Sequence, residues 1–148
     1  MNVAKVRGRA LNEVKTIAPE DSLGAAAECL ADYDIGLLVV CDGANGARGV
    51  IAGVISERDI VRAVGAYGAA ALERPVSQVM TREVVTCAAA DDIDGVMTAM
   101  AKGGFRHMPV VKDGQLAGMV SASDILRYLQ LHATEQDRAL FWSKVIWV

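Results

Sequence analysis

Gly53-Val-Ile-Ser-Glu-Arg-Asp-Ile-Val-Arg62 returns 65 residues later as Gly118-Met-Val-Ser-Ala-Ser-Asp-Ile-Leu-Arg127. Gly, Ser, Asp, Ile and Arg match, and apolar residues fill the positions between them. The repetition extends upstream. Leu23, Ala26, Ala27 and Leu30 have counterparts at Ile93, Val96, Met97 and Met100, the i, i+3, i+4, i+7 spacing of one helix face, shifted by 70 residues. Thr16-Ile-Ala-Pro-Glu-Asp21 precedes the first of these segments as Thr86-Cys-Ala-Ala-Ala-Asp91 precedes the second. The shift falls from 70 to 65 because the loops differ: a long Cys41–Gly49 connection in the first copy, a tight Lys112-Asp-Gly-Gln115 turn in the second. Asp-Gly between apolar runs signals a β-hairpin. The chain is a tandem repeat of one small unit.

Each copy reads as strand, helix, strand, strand, helix. In the first, Asp21 or Ser22 caps a helix running to about Tyr33, Ile35–Cys41 is a buried strand, and Gly49–Ile55 is the next strand. A second helix starts at Ser56 and fades near Gly65–Gly68. The second copy repeats this order from Val84 to about His132. The resulting division is a first domain over 1–69 with its core at about 14–68, a linker over 70–82 containing Glu73-Arg74-Pro75, a second domain over 83–132 and a tail over 133–148. Connections of this kind give a small α/β sandwich with helices leaning on one sheet face.

With 148 residues, 53% of them hydrophobic, and a mean hydropathy of +0.29, the chain can bury a sizeable core. The formal charge of −3 has no long block of one sign, which speaks against general attraction to nucleic acid or an anionic membrane; any anion site must be local. Lys5, Arg7 and Arg9 are followed by no apolar stretch of signal-peptide or membrane-span length, so the expected location is cytoplasmic. Cys29, Cys41 and Cys87 form no Cys-x-x-Cys and read as reduced core thiols. The tail carries both tryptophans in Leu140-Phe-Trp-Ser-Lys-Val-Ile-Trp-Val148. It reads either as a terminal helix or arm on the protein's own core, or as a dimer contact anchored by Trp142 and Trp147.

Two stretches can carry chemistry. Ser56-x-x-Asp59 and Ser121-x-x-Asp124 are capping boxes in their own right. Their recurrence at the same place in both copies also suits ligand binding, because a helix N-terminus attracts phosphate and a carboxylate there can accept from the cis hydroxyls of a ribose. The two roles are compatible. Phe105-Arg106-His107-Met108-Pro109-Val-Val111 is the second stretch. Arg106 and His107 read either as a solvated pair at a strand start or as phosphate contacts, and Pro109 limits the pairing of that strand. Arg58 offers the first copy a similar cation, but its counterpart is Ser123, so the two sites are not identical.

The doubled Gly-h-h-Ser-x-x-Asp-Ile, where h is apolar, together with Phe-Arg-His-Met-Pro-Val-Val and Asp-Gly-x-Leu-x-Gly, resembles the cystathionine β-synthase (CBS) domain family over about Val14–His132. Two such domains form a Bateman module. The resemblance implies an α+β tandem with pseudo-two-fold symmetry and two clefts for adenosine-containing ligands. It makes Asp59 and Asp124 the ribose ligands, Ser56 and Ser121 phosphate or ribose contacts, and Arg58, Arg106 and His107 phosphate contacts, with Ser123, in Arg58's place, a further ligand-binding candidate. It further makes Thr16-Ile17 and Val85-Thr86 the adenine walls, with Ile35, Met108 and Pro109 alongside. The first copy has Gly36-Leu37-Leu38 where the second has His107-Met108-Pro109, so its strand offers no cation there.

No phosphate-binding Gly-Lys-Ser/Thr loop, His-Glu-x-x-His, Gly-x-Ser-x-Gly or Gly-x-Gly-x-x-Gly occurs, so no enzyme activity and no catalytic cofactor are expected. The reading is a sensor that binds AMP, ATP or NAD(H), forms a homodimer and acts on a regulated protein on another chain. It involves neither nucleic acid nor membrane. The alternative is a structural dimerising protein with unoccupied clefts.

Overall fold

The computed structural model describes residues 1–6, 8–10, 13–43 and 49–145. In chain order the elements are a 3-10 turn at Val3–Lys5, β1 (Arg9–Ala10), β2 (Thr16–Ile17), α1 (Leu23–Tyr33), β3 (Leu37–Asp42), β4 (Val50–Ser56) and α2 (Glu57–Tyr67). Two further 3-10 segments, Gly68–Glu73 and Val76–Gln78, lead to α3 (Ile93–Gly103), β5 (His107–Lys112), β6 (Gln115–Ser121), α4 (Ala122–His132) and α5 (Glu135–Lys144). None of the described helices is long and apolar enough to cross a membrane. The chain divides into two compact units: Val14–Val84 with Gly114–Leu116, and Met1–Glu13 with Val85–Asp113 and Ala117–Val148.

In the first-repeat unit, Ser22 accepts the Ala25 N–H to start α1, and Asp34 ends it in the left-handed conformation at φ 50°. The apolar stripe Leu23, Ala26 and Leu30 is buried against Leu38, Val40 and Ile55 of a three-stranded sheet in the order β2-β3-β4. Strand β2 runs parallel to β3, pairing Thr16 with Val39 and Ile17 with Val40, and β3 runs antiparallel to β4. Leu23, Leu38 and Ile55 are wholly removed from water, each contributing about 1.5–3 kcal/mol.

The second-repeat unit builds the same core from Ile93, Val96, Met97, Met100, Met108, Val120, Ile125 and Leu129. Asp113 and Gly114, at φ 52° and 75°, make the hairpin turn between β5 and β6; both need positive φ, which is why Asp-Gly stands there. The expected opening strand is not formed at Val85-Thr86: only Cys87 pairs in parallel fashion, with Val110. Proline explains the loss. In the first repeat the Val39 N–H donates to the Lys15 carbonyl at 3.3 Å, and the corresponding bond from position 109 to Val85 has no donor because Pro109 lacks an N–H.

The expected linker over 70–82 is instead part of the first-repeat unit, with Ala71, Val76 and Met80 buried in its core. Residues 1–13, expected in the first domain, belong to the second-repeat unit, where Val3 and Val6 are buried. The two segments play equivalent parts. Leu23 donates to the Arg74 carbonyl and Val76 to that of Asp21, while Ile93 donates to the Met1 carbonyl and Val3 to that of Asp91. The repeat therefore has a third portion, Val3-Ala-Lys-Val6 against Val76-Ser-Gln-Val79.

Candidate functional site

Each repeat ends its last strand on a serine that opens a helix. Ser56 accepts the Asp59 N–H at 3.2 Å, while Asp59 Oδ2 accepts from the Ser56 N–H and hydroxyl, both at 2.9 Å. Ser121 and Asp124 repeat the geometry, with an Asp124 N–H to Ser121 Oγ bond of 3.1 Å and bonds to Oδ2 of 2.9 and 2.7 Å. These are complete capping boxes. The next helical N–H is satisfied by the preceding strand entry: Glu57 donates to the Gly36 carbonyl and Ala122 to the Arg106 carbonyl. That bond fixes the helix start against the residue before β3 or β5, and it makes Gly36 the counterpart of Arg106, so that Leu37-Leu38-Val39, one residue later than the expected Gly36-Leu37-Leu38, stands opposite His107-Met108-Pro109.

One carboxylate oxygen in each repeat lies outside the cap, and the two are used differently. Among the described residues, Asp59 Oδ1 receives a long bond from the Thr81 hydroxyl at 3.5 Å. Asp124 Oδ1 is ion-paired to Arg127 Nη2 at 2.6 Å. Arg127 had its place in the repeated stretch, and the equivalent residue is Arg62; neither was singled out from the sequence.

The remaining candidates lie on the neighbouring elements of each unit. In the first-repeat unit, Thr16 and Ile17 lie half-buried in β2, Ile35 packs on the core just before β3, and Arg58 is exposed in the first turn of α2. In the second-repeat unit, Ser123 is exposed in the first turn of α4, and Arg106 is exposed at the entry to β5. His107 is half-buried at the start of that strand. Burial pushes its imidazole below the ordinary value; the charges of Arg106 and Arg9 push the same way, and Asp124 opposes them. Met108 and Pro109 are buried. Val85, Thr86 and Met108 come together with Cys87, Val96 and Ala99 as walls of an open cleft of about 350 Å³. Ser121, Asp124, Arg106 and His107 are not among the residues lining that cleft.

The three cysteines are free. Burial, with a smaller contribution from Asp91, pushes the Cys87 thiol up to about 11, so it stays protonated and unreactive at neutral pH. The tail forms α5, capped by Thr134, and lays Phe141 and Val145 into the core of its own unit with Trp142 packed against Phe141 at 4.9 Å between ring centroids. Trp147 lies outside the described residues.

This repeated geometry coincides with the matches to known proteins. The family model described as CBS domain matches residues 8–66 and 76–131. An uncharacterised 17.7 kDa protein of Acidianus ambivalens is 32% identical over 126 residues, 84% of this chain and 73% of that protein. The crystal structure of a CBS-domain-containing protein from Agrobacterium tumefaciens superposes with a TM-score of 0.75 at 40% identity, covering 85% of this chain and 91% of that one. The CBS domain pair of protein MJ0100, solved with 5′-methylthioadenosine and S-adenosyl-L-methionine, gives a TM-score of 0.73 at 25% identity over 88% of this chain and 96% of that one. Two copies of one strand-and-helix unit, each opening its last helix on a Ser-x-x-Asp cap and each matched by the same family model, make this chain a member of the CBS domain family, built as a tandem pair.

Proposed function

We propose that the chain is a regulatory module that binds an adenosine-containing ligand and answers it by changing shape or partner affinity. The observation that carries this reading is the doubled cap: in both repeats the aspartate spends Oδ2 on its helix and holds Oδ1 outside the cap, at a helix N-terminus that also suits an anion. A carboxylate so placed can accept both hydroxyls of a ribose. The MJ0100 pair, solved with two adenosine derivatives, supports an adenosine-containing ligand for this family. AMP, ATP and NAD(H) are the ligands proposed, with a homodimer as the working assembly and a protein on another chain as the regulated partner. No step of catalysis is assigned.

One observation favours a second reading. Both serine–aspartate pairs complete their capping boxes without a ligand, so they already have a structural role, and a dimerising protein with empty clefts would need nothing more. Calorimetric titration of ligand-stripped protein with AMP, ATP, NAD, NADH and S-adenosylmethionine decides between the two, run in parallel on Asp59→Asn and Asp124→Asn. Saturable heat that a folded variant loses supports the sensor; no heat from any ligand with folded protein leaves the structural reading. Sedimentation at micromolar concentration tests the dimer.

A further inference from the structure

We infer that Arg9, carried into the second-repeat unit by the N-terminal segment, is a specificity-determining residue that makes the Asp124 site select ligands with a phosphate chain. Its counterpart Thr81 leaves the Asp59 site without that charge. This inference rests on the ligand-binding reading above and names the ligand class of one site within it.

The argument starts from two equivalent strand pairings. Arg9 pairs with Met119 of β6, and Thr81 pairs with Val54 of β4 in an isolated bridge. Met119 and Val54 occupy the same position of the repeat, two residues before Ser121 and Ser56. Side chains alternate along a strand, so a residue opposite Met119 or Val54 shares the face of the capping serine. The glycine before each is where the incoming backbone comes close: a Cβ on Gly118 would stand 2.8 Å from the Arg9 carbonyl, and one on Gly53 would stand 2.7 Å from that of Thr81. Both backbones therefore approach the same spot.

The first repeat shows what a side chain at this position reaches, since the Thr81 hydroxyl bonds Asp59 Oδ1. In the second repeat the longer Arg9 acts electrostatically on His107, as do Arg106 beside it and Asp124 opposite. Arg9 and Arg106 thus bring two guanidinium charges to bear on His107, beside the Arg127 that Asp124 holds at 2.6 Å. Guanidinium forks match phosphate oxygens. At the corresponding positions of the first repeat stand Thr81 and Gly36, which carry no charge, and the cation of that repeat is Arg58 on the helix itself, where the second repeat has Ser123.

The test uses the His107 imidazole as the reporter of one site. The chain has two histidines, His107 and His132, so their ring resonances can be assigned by His107→Gln, with His132 as internal control. Wild type, Arg9→Gln and Asp124→Asn are titrated with adenosine, AMP, ATP and inorganic tripolyphosphate. The expected result is that Arg9→Gln weakens ATP and tripolyphosphate at the His107 reporter by about tenfold while adenosine is unchanged. ATP binding that requires Asp124 but is indifferent to Arg9 overturns the inference and leaves the adenosine reading standing. Tripolyphosphate binding that depends on Arg9, with no response to adenosine, keeps the anion site and overturns the adenosine reading. No response of His107 to any of the four overturns both.

Discussion

Arg127 Nη2 stands 2.6 Å from Asp124 Oδ1, the oxygen that the helix cap leaves over, so in the second repeat a cation already occupies the acceptor that a ribose would use. The pair spans one helical turn, with the arginine more than half exposed, and such a pair contributes less than about 1 kcal/mol. Arg127→Gln is therefore expected to leave the thermal midpoint within a few degrees of wild type. It should tighten adenosine at the His107-reported site by a few-fold, because the competitor is removed. Unchanged or weaker adenosine binding there would count against Oδ1 as the ribose acceptor.

The capping serines should behave alike. Ser56→Ala and Ser121→Ala each remove a hydroxyl that accepts an N–H and donates to a carboxylate, at a cost of about 1 kcal/mol by urea denaturation. Since they act in separate units with no shared partner, the double variant is expected to lose about the sum.

His107 sets a pH dependence whose sign follows from its surroundings. Burial, Arg106 and Arg9 lower its folded pKa below the ordinary 6.5, so the unfolded chain holds the proton more tightly. The stability it contributes is present above pH 6.5 and is lost as pH falls through the folded pKa. His107→Gln should flatten that part of the profile, measured by denaturation between pH 5 and 7.5. A phosphate beside the ring reverses the bias, so ATP binding near pH 6 should take up a proton, which calorimetry in buffers of different ionisation enthalpy detects, whereas adenosine should not.

Gly118→Ala tests the seat of Arg9. A Cβ there meets the Arg9 carbonyl at 2.8 Å, backbone that cannot turn aside, so the β1–β6 pairing must open. The expected cost is about 1–3 kcal/mol, with faster amide exchange at Arg9, while Ala10, whose N–H donates to Glu13 Oε2, serves as the local comparison. Retained protection of the Arg9 amide would contradict the close approach.

Pro109→Val should restore the missing donor. With an N–H at that position the Val85 carbonyl gains the partner that Lys15 has in Val39, and the new amide is expected to exchange slowly. Fast exchange at position 109 would mean that proline is not what keeps Val85-Thr86 out of the sheet.

Most of the architecture was legible because it is local. Helix periodicity at Leu23–Leu30 and Ile93–Met100, the Asp113-Gly114 turn and both Ser-x-x-Asp caps are each decided within a few residues, and the structure forms all of them. Doubling made the candidate site visible as well, since one capping box is ordinary and two at the same place in a repeat are not. The misread segments were those whose partners lie far along the chain. Residues 70–82 carry turn-forming residues, yet Ala71, Val76 and Met80 find a core to fill.

The repeat, the order of helices and strands within it and the aspartates that open the helices could be read from the residues alone, because backbone propensity, capping and apolar spacing act over one or two turns. Long-range pairing was needed to show that residues 1–13 complete the second repeat and 74–84 the first, and hence that Arg9 lies beside Met119 and acts on His107 while Thr81 lies beside Val54 and bonds Asp59. Strand pairing over about a hundred residues is fixed by which backbone can come within hydrogen-bonding distance of Gly118 or Gly53, and no short-range pattern encodes that choice.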